Sequence, residues 1–330
     1  MANKRFDILS QYEWEERVVE ENMSDTKEEF LKLISTIMNN NFNLKELYLN
    51  SENLEVLLEQ IEDLKKSLDS FRPLEGVHIE KLNQYFDEEY TYDSNSIEGN
   101  TLTLQETSLI LNKGLTIGGK SMREHFEVIN HKEAIDYIKD LVKEKEPLSK
   151  RVLLDIHHLI LKNIDVENAG RYRNVDVMIS GSTHKPPTFL QVQNLMEEYF
   201  TFYEENNETL NPVILSAEIH ERLVTIHPFL DGNGRTSRLM MNLVLLQNGF
   251  PITNISSQNN LRDEYYKSLE SVQTGGDKEL FHKFIAKNVK ESLIKYLEII
   301  SVNAEENTKG EYFYKRVIEL SKKQSNPIFR

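Results

Sequence analysis

Apolar residues recur at three- and four-residue intervals through most of the chain, separated by charged residues, which is the spacing of a helix with one buried face. Leu47, Leu54, Leu57, Leu58, Ile61, Leu64 and Leu68 form one such stripe, suited to packing on the rest of the chain or on a second subunit. Phe71-Arg-Pro-Leu-Glu-Gly76 breaks it, and a second helical block runs over about 78–145. Within that block Thr103-x-x-Glu106 has the form of a capping box, so a helix is expected from near Leu104 to near Gly114. Lys120 to about Lys143 reads as another, closed by Pro147. Beyond Leu148 the spacing predicts helices near 149–163, 190–204, 212–226, 234–247, 259–272, 277–299 and 311–323, with a break at Asn168-Ala-Gly170. Pro212 suits a first helical turn, and Gly249 with Pro251 suits a helix end. One stretch departs from the helical rule. Val175-Asp-Val177-Met-Ile179 favours strand, Ser180-Gly181-Ser182 supplies a turn, and Pro186-Pro187 keeps the return strand short, so a small exposed β-hairpin is expected. The expected fold class is all-α with that hairpin.

Composition narrows the picture. The 330 residues are 39% hydrophobic, enough for a sizeable core. The net charge of −15 repels a nucleic-acid backbone, and no basic run is long enough to offset it. The absence of cysteine excludes disulfides and thiolate-bound zinc and fits a reducing compartment. No apolar run approaches the roughly 20 residues of a membrane helix, and the N-terminus leads into acidic sequence rather than a signal-peptide core. The expectation is a cytoplasmic protein without nucleic-acid or membrane partners.

The chemistry concentrates in His227-Pro-Phe-Leu-Asp231-Gly-Asn233-Gly-Arg235-Thr-Ser-Arg238. Pro228 biases His227 away from helical geometry, placing it at a helix exit facing a loop. Asp231-Gly232-Asn233-Gly234 then opens a helix through Arg235, Thr236, Ser237 and Arg238. A helix start presents free amides and a positive dipole end, and Gly232 and Gly234 let an anion approach the backbone. Arg235 and Arg238, three apart, share a helix face near the first turn, where two guanidinium groups can grip phosphates. Asp231 offers the hard oxygen that magnesium shared with phosphates requires. A histidine metal hydrolase fares poorly, since no H-x-x-x-H or H-E-x-x-H accompanies the motif. His157-His158, adjacent on an expected helix, point apart and suit packing or capping.

At about 5% usage per residue type, nine fixed positions match by chance at on the order of one site in 10^11 to 10^12. The stretch resembles the signature of the Fic family, H-P-F-x-[DE]-G-N-G-R-x-x-R, without departure. Members mostly transfer AMP from ATP to a protein hydroxyl, and the resemblance implies the same here, with ATP as co-substrate and Mg²⁺, or Mn²⁺ in its place, as cofactor. It implies that His227 is the base, that Asp231 holds the metal, and that Asn233 and local amides meet the α-phosphate. Arg235 and Arg238 would take the β- and γ-phosphates. Residues 170–187 resemble the family's flap, on which Val177, Met178, Ile179, Ser180 and Gly181 would dock a target protein by strand addition, with the chain itself among the candidate targets. Ile179, Tyr265 and Tyr266 fall where the family's nucleotide site lies; the two tyrosines suit equally an amphipathic helix with one ring buried. Gln273 stands where some relatives have an asparagine.

Ser94-Asn-Ser-Ile-Glu98-Gly99-Asn100 matches the family's inhibitory pattern, [ST]-x-x-x-E-[GN], on a helix before the core. The resemblance implies that Glu98, with Ser94, engages Arg238 and obstructs the γ-phosphate. It covers about 85–290. The expected segments are a helical extension at 1–75, an N-terminal Fic region with the inhibitory motif at 76–147, a catalytic core at 148–290 and a C-terminal extension at 291–330. AMP removal, transfer of another phosphate-containing group, and a non-catalytic nucleotide-binding protein stay open, as does a homo-oligomeric state.

Overall fold

The computed structural model describes residues 43–179, 181–302 and 309–323. Among them are twelve helices and no strand: α1 (Leu44–Leu47), α2 (Leu54–Asp69), α3 (Val77–Ile97), α4 (Leu104–Lys113), α5 (Met122–Glu144), α6 (Lys150–Leu161), α7 (Phe189–Asn206), α8 (Pro212–Ile226), α9 (Asn233–Gln247), α10 (Asn259–Gln273), α11 (Lys278–Val302) and α12 (Glu311–Lys323). The described residues divide into two compact units, one of 43–49, 63–74, 294–302 and 309–323, the other of 50–62, 75–179 and 181–293.

In the first unit Asp63 accepts hydrogen bonds from the Tyr48 and Tyr312 hydroxyls and from Arg316 Nε, each at 2.7 Å. Burial alone would raise this carboxyl, but the three donors hold it below the usual carboxylate range. Phe71 meets Phe313 at a tilt and Tyr314 edge to face, with ring centres 5.4 and 6.0 Å away.

The second unit carries the motif. Leu239, Met240, Met241, Leu243, Val244 and Leu245 of α9 are all at most 1% exposed. The helix is apolar nearly all round and so needs partners on every side, which α8, α5, α6 and α3 supply. Burying each such side chain contributes roughly 1.5–3 kcal/mol, so the helix that bears the motif is anchored along its length. Its neighbours are set by their caps. Thr103 and Glu106 form the expected capping box of α4, which ends on Gly114 at φ 62°. A second box, Ser121 with Glu124, starts α5 at Met122, two residues later than the apolar spacing alone places it.

The expected β-hairpin is not formed. Residues 171–188 hold no strand among those described, and Ser180 lies outside the described residues. The chain does turn back, Ser182 N–H donating to Ile179 O at 3.3 Å, but no ladder follows. The Arg173 guanidinium takes the carbonyls of Val175 and Pro187 that a ladder would need. Pro186 and Pro187 have no amide to donate, and the Phe189 amide goes to Asp176 Oδ1 at 2.7 Å.

Candidate active site

His227 is the C-cap of α8, with φ 52° and ψ 57°. A non-glycine residue in this left-handed region costs on the order of 1 kcal/mol and persists where its surroundings hold it. Here the hold comes from Arg173, which is 4% exposed. Its Nε donates to His227 O at 2.8 Å and its backbone amide to Pro228 O at 2.9 Å. His227 Nδ1 donates to Val224 O at 3.2 Å, which leaves Nε2 as the lone-pair nitrogen. Burial, reinforced by the Arg173 cation, holds the imidazole below the ordinary histidine value. The side chain is therefore neutral at pH 7, as a general base must be.

The loop from His227 to α9 is fixed from inside. Asn233 clasps the Phe229 backbone, accepting from its N–H at 3.0 Å and donating to its C=O at 2.9 Å. His157 Nδ1 accepts the Gly170 N–H at 2.9 Å, so Nε2 carries the proton and donates to Asp231 O at 3.0 Å. Its ring stacks on Phe229 with centres 3.6 Å apart, and burial pushes its pKa down to about 4. Gly232 caps α9 at φ 78°, where an added Cβ would meet Ile160 Cγ2 at 3.3 Å.

Arg235 and Arg238 rise from the first two turns of α9, 2% and 1% exposed. Every nitrogen of Arg238 has a partner. Its Nε donates to Ser94 Oγ at 3.0 Å, and its Nη2 to Ser94 O at 2.9 Å and to Glu98 Oε1 at 2.7 Å. Its Nη1 reaches the Tyr265 hydroxyl at 3.5 Å. Gly234 makes room for this pair, since a Cβ there would sit 2.2 Å from Glu98 Oε1. Arg235 is not saturated. It lies 3.6 Å from Glu127 Oε1 and 3.5 Å from Asp231 Oδ1, and its Nε and Nη1 have no hydrogen-bond partner. Thr236 Oγ1 beside it is also buried and unpartnered.

Asp231 receives the Gly232 amide on Oδ1 at 2.6 Å and Arg123 Nη2 on Oδ2 at 2.6 Å. Burial alone would raise its pKa, but Arg235, the Gly232 amide and Arg123 hold it below the usual carboxylate value. No group of three or more metal-ligating side chains converges among the described residues. A single hard carboxylate beside an anion-binding helix start still suits Mg²⁺, which keeps water and phosphate oxygens for its other positions.

Residues 147–245 match the Fic/DOC family. Protein adenylyltransferase fic-1 of Caenorhabditis elegans is 35% identical over 251 residues, covering 76% of this chain and 48% of that protein. Protein adenylyltransferase Fic of Nematostella vectensis is 36% identical over 211 residues, covering 63% of this chain and 48% of that protein. A solved structure of C. elegans Fic-1 has a TM-score of 0.65 and 32% identity, covering 74% of this chain and 71% of that one. The chain belongs to the Fic/DOC family. A Fic-domain signalling protein of Bacteroides thetaiotaomicron also has a TM-score of 0.65, at 28% identity, covering 73% of this chain and 97% of that one. The chain spans about half the length of the curated relatives it matches.

The Fic signature residues thus converge at one helix start, with Ser94 and Glu98 against them. The flanking positions divide. Tyr265 is 1% exposed and its hydroxyl is hydrogen-bonded with His220 Nε2 at 3.1 Å, so it supports the Arg238 side from within. His220 is kept neutral there, its pKa pushed to about 3 by burial and then by Arg238. Tyr266 is 42% exposed, its hydroxyl donating to Ile97 O at 3.2 Å and its ring facing the Arg262 guanidinium at 5.6 Å. Val177 and Ile179 are half-buried, Gly181 is exposed, and Met178 is 94% exposed. Arg123, Glu127 and Arg173 had no mark in the sequence. The Ser121-x-x-Glu124 box that starts α5 is the one local signal that bears on the first two.

Proposed function

We propose that this Fic chain transfers AMP from ATP to a hydroxyl side chain of a protein, and that Glu98 restrains it. The observation that carries this reading is Arg235, a cation at a helix N-terminus with two buried, unpartnered nitrogens, in the same site as the unprotonated Nε2 of His227. A buried polar group without a partner costs stability and is retained where a ligand supplies the partner. The free amides of the α9 start add to the same anion site.

In the reaction the target hydroxyl oxygen forms a bond to the α-phosphorus while its proton passes to His227 Nε2. The bond from that phosphorus to the bridging oxygen breaks, and pyrophosphate leaves carrying the charge that Arg235 and Arg238 neutralise. Asp231 would hold Mg²⁺, or Mn²⁺ in its place, whose charge offsets that of the α- and β-phosphates. Asn233 supports the cradle by locking Phe229, and Tyr266 lies open on the nucleotide side. The target would lie along residues 177–181, where exposed Met178 marks the accessible edge.

Glu98 on Arg238 supports inhibition by competition. A carboxylate delivered by the same chain has a high effective concentration, so it withholds this guanidinium from the terminal phosphate. The test is incubation of the Glu98→Gly chain with ATP labelled at the α- or the γ-phosphate, followed by mass spectrometry of the protein product. Retention of the α label alone, with a mass increase of one AMP, is expected. Transfer of the γ label, a different adduct, or no adduct overturns the reading.

A further inference from the structure

The side of the site opposite Glu98 carries a second substitution of one charged group for another. Asp231 uses one oxygen, Oδ1, for the backbone of its own loop, through the Gly232 amide. The other, Oδ2, is the atom left for a cation, and Arg123 Nη2 lies 2.6 Å from it. Arg123 comes from the first turn of α5, 108 residues away in sequence. Its Nε is 3.2 Å from Glu127 Oε1, and Glu127 Oε2 accepts from Asn100 Nδ2 at 2.9 Å. Asn100 also donates to Glu124 O at 3.1 Å, so the residues just after Glu98 are tied to the turn that presents Arg123. Arg123, Arg235, Asp231 and Glu127 make a group of two positive and two negative charges that is neutral as it stands.

We propose that Arg123 is a built-in cation that stands in for the divalent metal at Asp231, so that metal entry requires its displacement. This rests on the reading of Asp231 as the metal carboxylate. The Arg123 side chain is 56% exposed, so it can turn into solvent without opening the core. A pair of that exposure resists displacement only weakly, and Arg123 therefore sets the metal concentration at which the site fills without blocking it. Glu98 and Arg123 then act alike on the two halves of the ligand, one taking the place of a phosphate and the other the place of its metal. Both are held by the same stretch, Glu98 directly and Arg123 through Asn100 and Glu127.

The experiment is a Mn²⁺ titration of the full chain carrying Glu98→Gly, with α,β-methylene-ATP present, read from the electron paramagnetic resonance signal of free Mn²⁺ after correction for the Mn²⁺ that the same nucleotide binds without protein. Arg123→Gln should bind Mn²⁺ roughly two- to fivefold more tightly than its parent. Arg123→Lys, which keeps the charge, should stay near the parent, and Asp231→Asn should lose most binding. Equal or weaker binding by Arg123→Gln, or binding by Arg123→Lys as tight as by Arg123→Gln, overturns the proposal. If instead Asp231→Asn binds as the parent does, the reading of Asp231 itself fails. Unchanged thermal unfolding of Arg123→Gln shows that its metal affinity is compared on the same fold.

Discussion

Arg235 and Arg238 are the same residue type on the same helix turn, equally buried, yet their surroundings differ in kind. Arg238 is enclosed by α3 and α10, which spend a hydroxyl, a carbonyl, a carboxylate and a phenol on it. Arg235 faces α5 and the motif loop, where two carboxylates stand at 3.5–3.6 Å and two of its nitrogens have no hydrogen-bond partner. Satisfied burial belongs to a resting structure, whereas unsatisfied burial belongs to a site that a ligand completes. The helix start thus presents one arginine held at every nitrogen by its own chain and one with two nitrogens left without a hydrogen bond.

The strongest test of that comparison asks whether both arginines serve the same reaction. His227→Ala should lower AMP transfer by about 10^2- to 10^4-fold with Glu98 present or replaced by Gly, in a label-transfer assay. A transfer rate that survives the loss of His227 would mean that the two arginines flank some other chemistry. Glu98→Gly should raise transfer roughly tenfold, since it removes one charge-assisted bond that is partly exposed. An unchanged rate would show that Arg238 is not the contested arginine.

Stability sharpens the contrast. Arg238→Ala should cost roughly 2–3 kcal/mol in a denaturant titration, because it strands Glu98 and the buried Ser94 hydroxyl. Arg235→Ala should cost under about 1 kcal/mol, since removing unpartnered nitrogens relieves a desolvation penalty while two long ion pairs are lost. Equal costs would erase the distinction.

A further effect on stability comes from pH. His157 and His220 are buried neutral, with pKa values near about 4 and about 3, and burial takes His131 well below the ordinary value. In the unfolded chain each titrates near 6.5, so below that pH the unfolded state binds more protons than the folded one. Stability is then full above about 6.5 and falls as pH drops, by up to about 1.4 kcal/mol per unit for each histidine, down to about 4 for His157 and about 3 for His220. Thermal unfolding between pH 7 and 5 should show this decline, and His157→Gln should make it shallower.

Much of the fold was legible because helices announce themselves locally. The apolar period, the Thr103 box, Pro212 and Gly114 placed elements to within a few residues, and Ser121-x-x-Glu124 would have corrected the start of α5. The flap segment misled for a physical reason. Val175, Val177 and Ile179 have strand character, but the carbonyls a ladder needs are claimed by Arg173, whose first task is to hold His227. The two tyrosines of α10 could not be separated by pattern, and packing buried Tyr265 while leaving Tyr266 open.

The sequence by itself determined the helical class, the loop-to-helix motif and the residues that could serve as base, anion seat and metal carboxylate. These depend on the helical period, on the conformational freedom of glycine and on side-chain chemistry, all of which act within a few residues. Only the tertiary structure decided that Arg123 meets Asp231 and that Glu127 meets Arg235, and it sets Ser94 and Glu98 against Arg238 across 144 and 140 residues, the contact that the family resemblance implied. Such pairings follow from how α3 and α5 pack on α9, because the energy of two charges depends on their separation in space and not on their spacing along the chain.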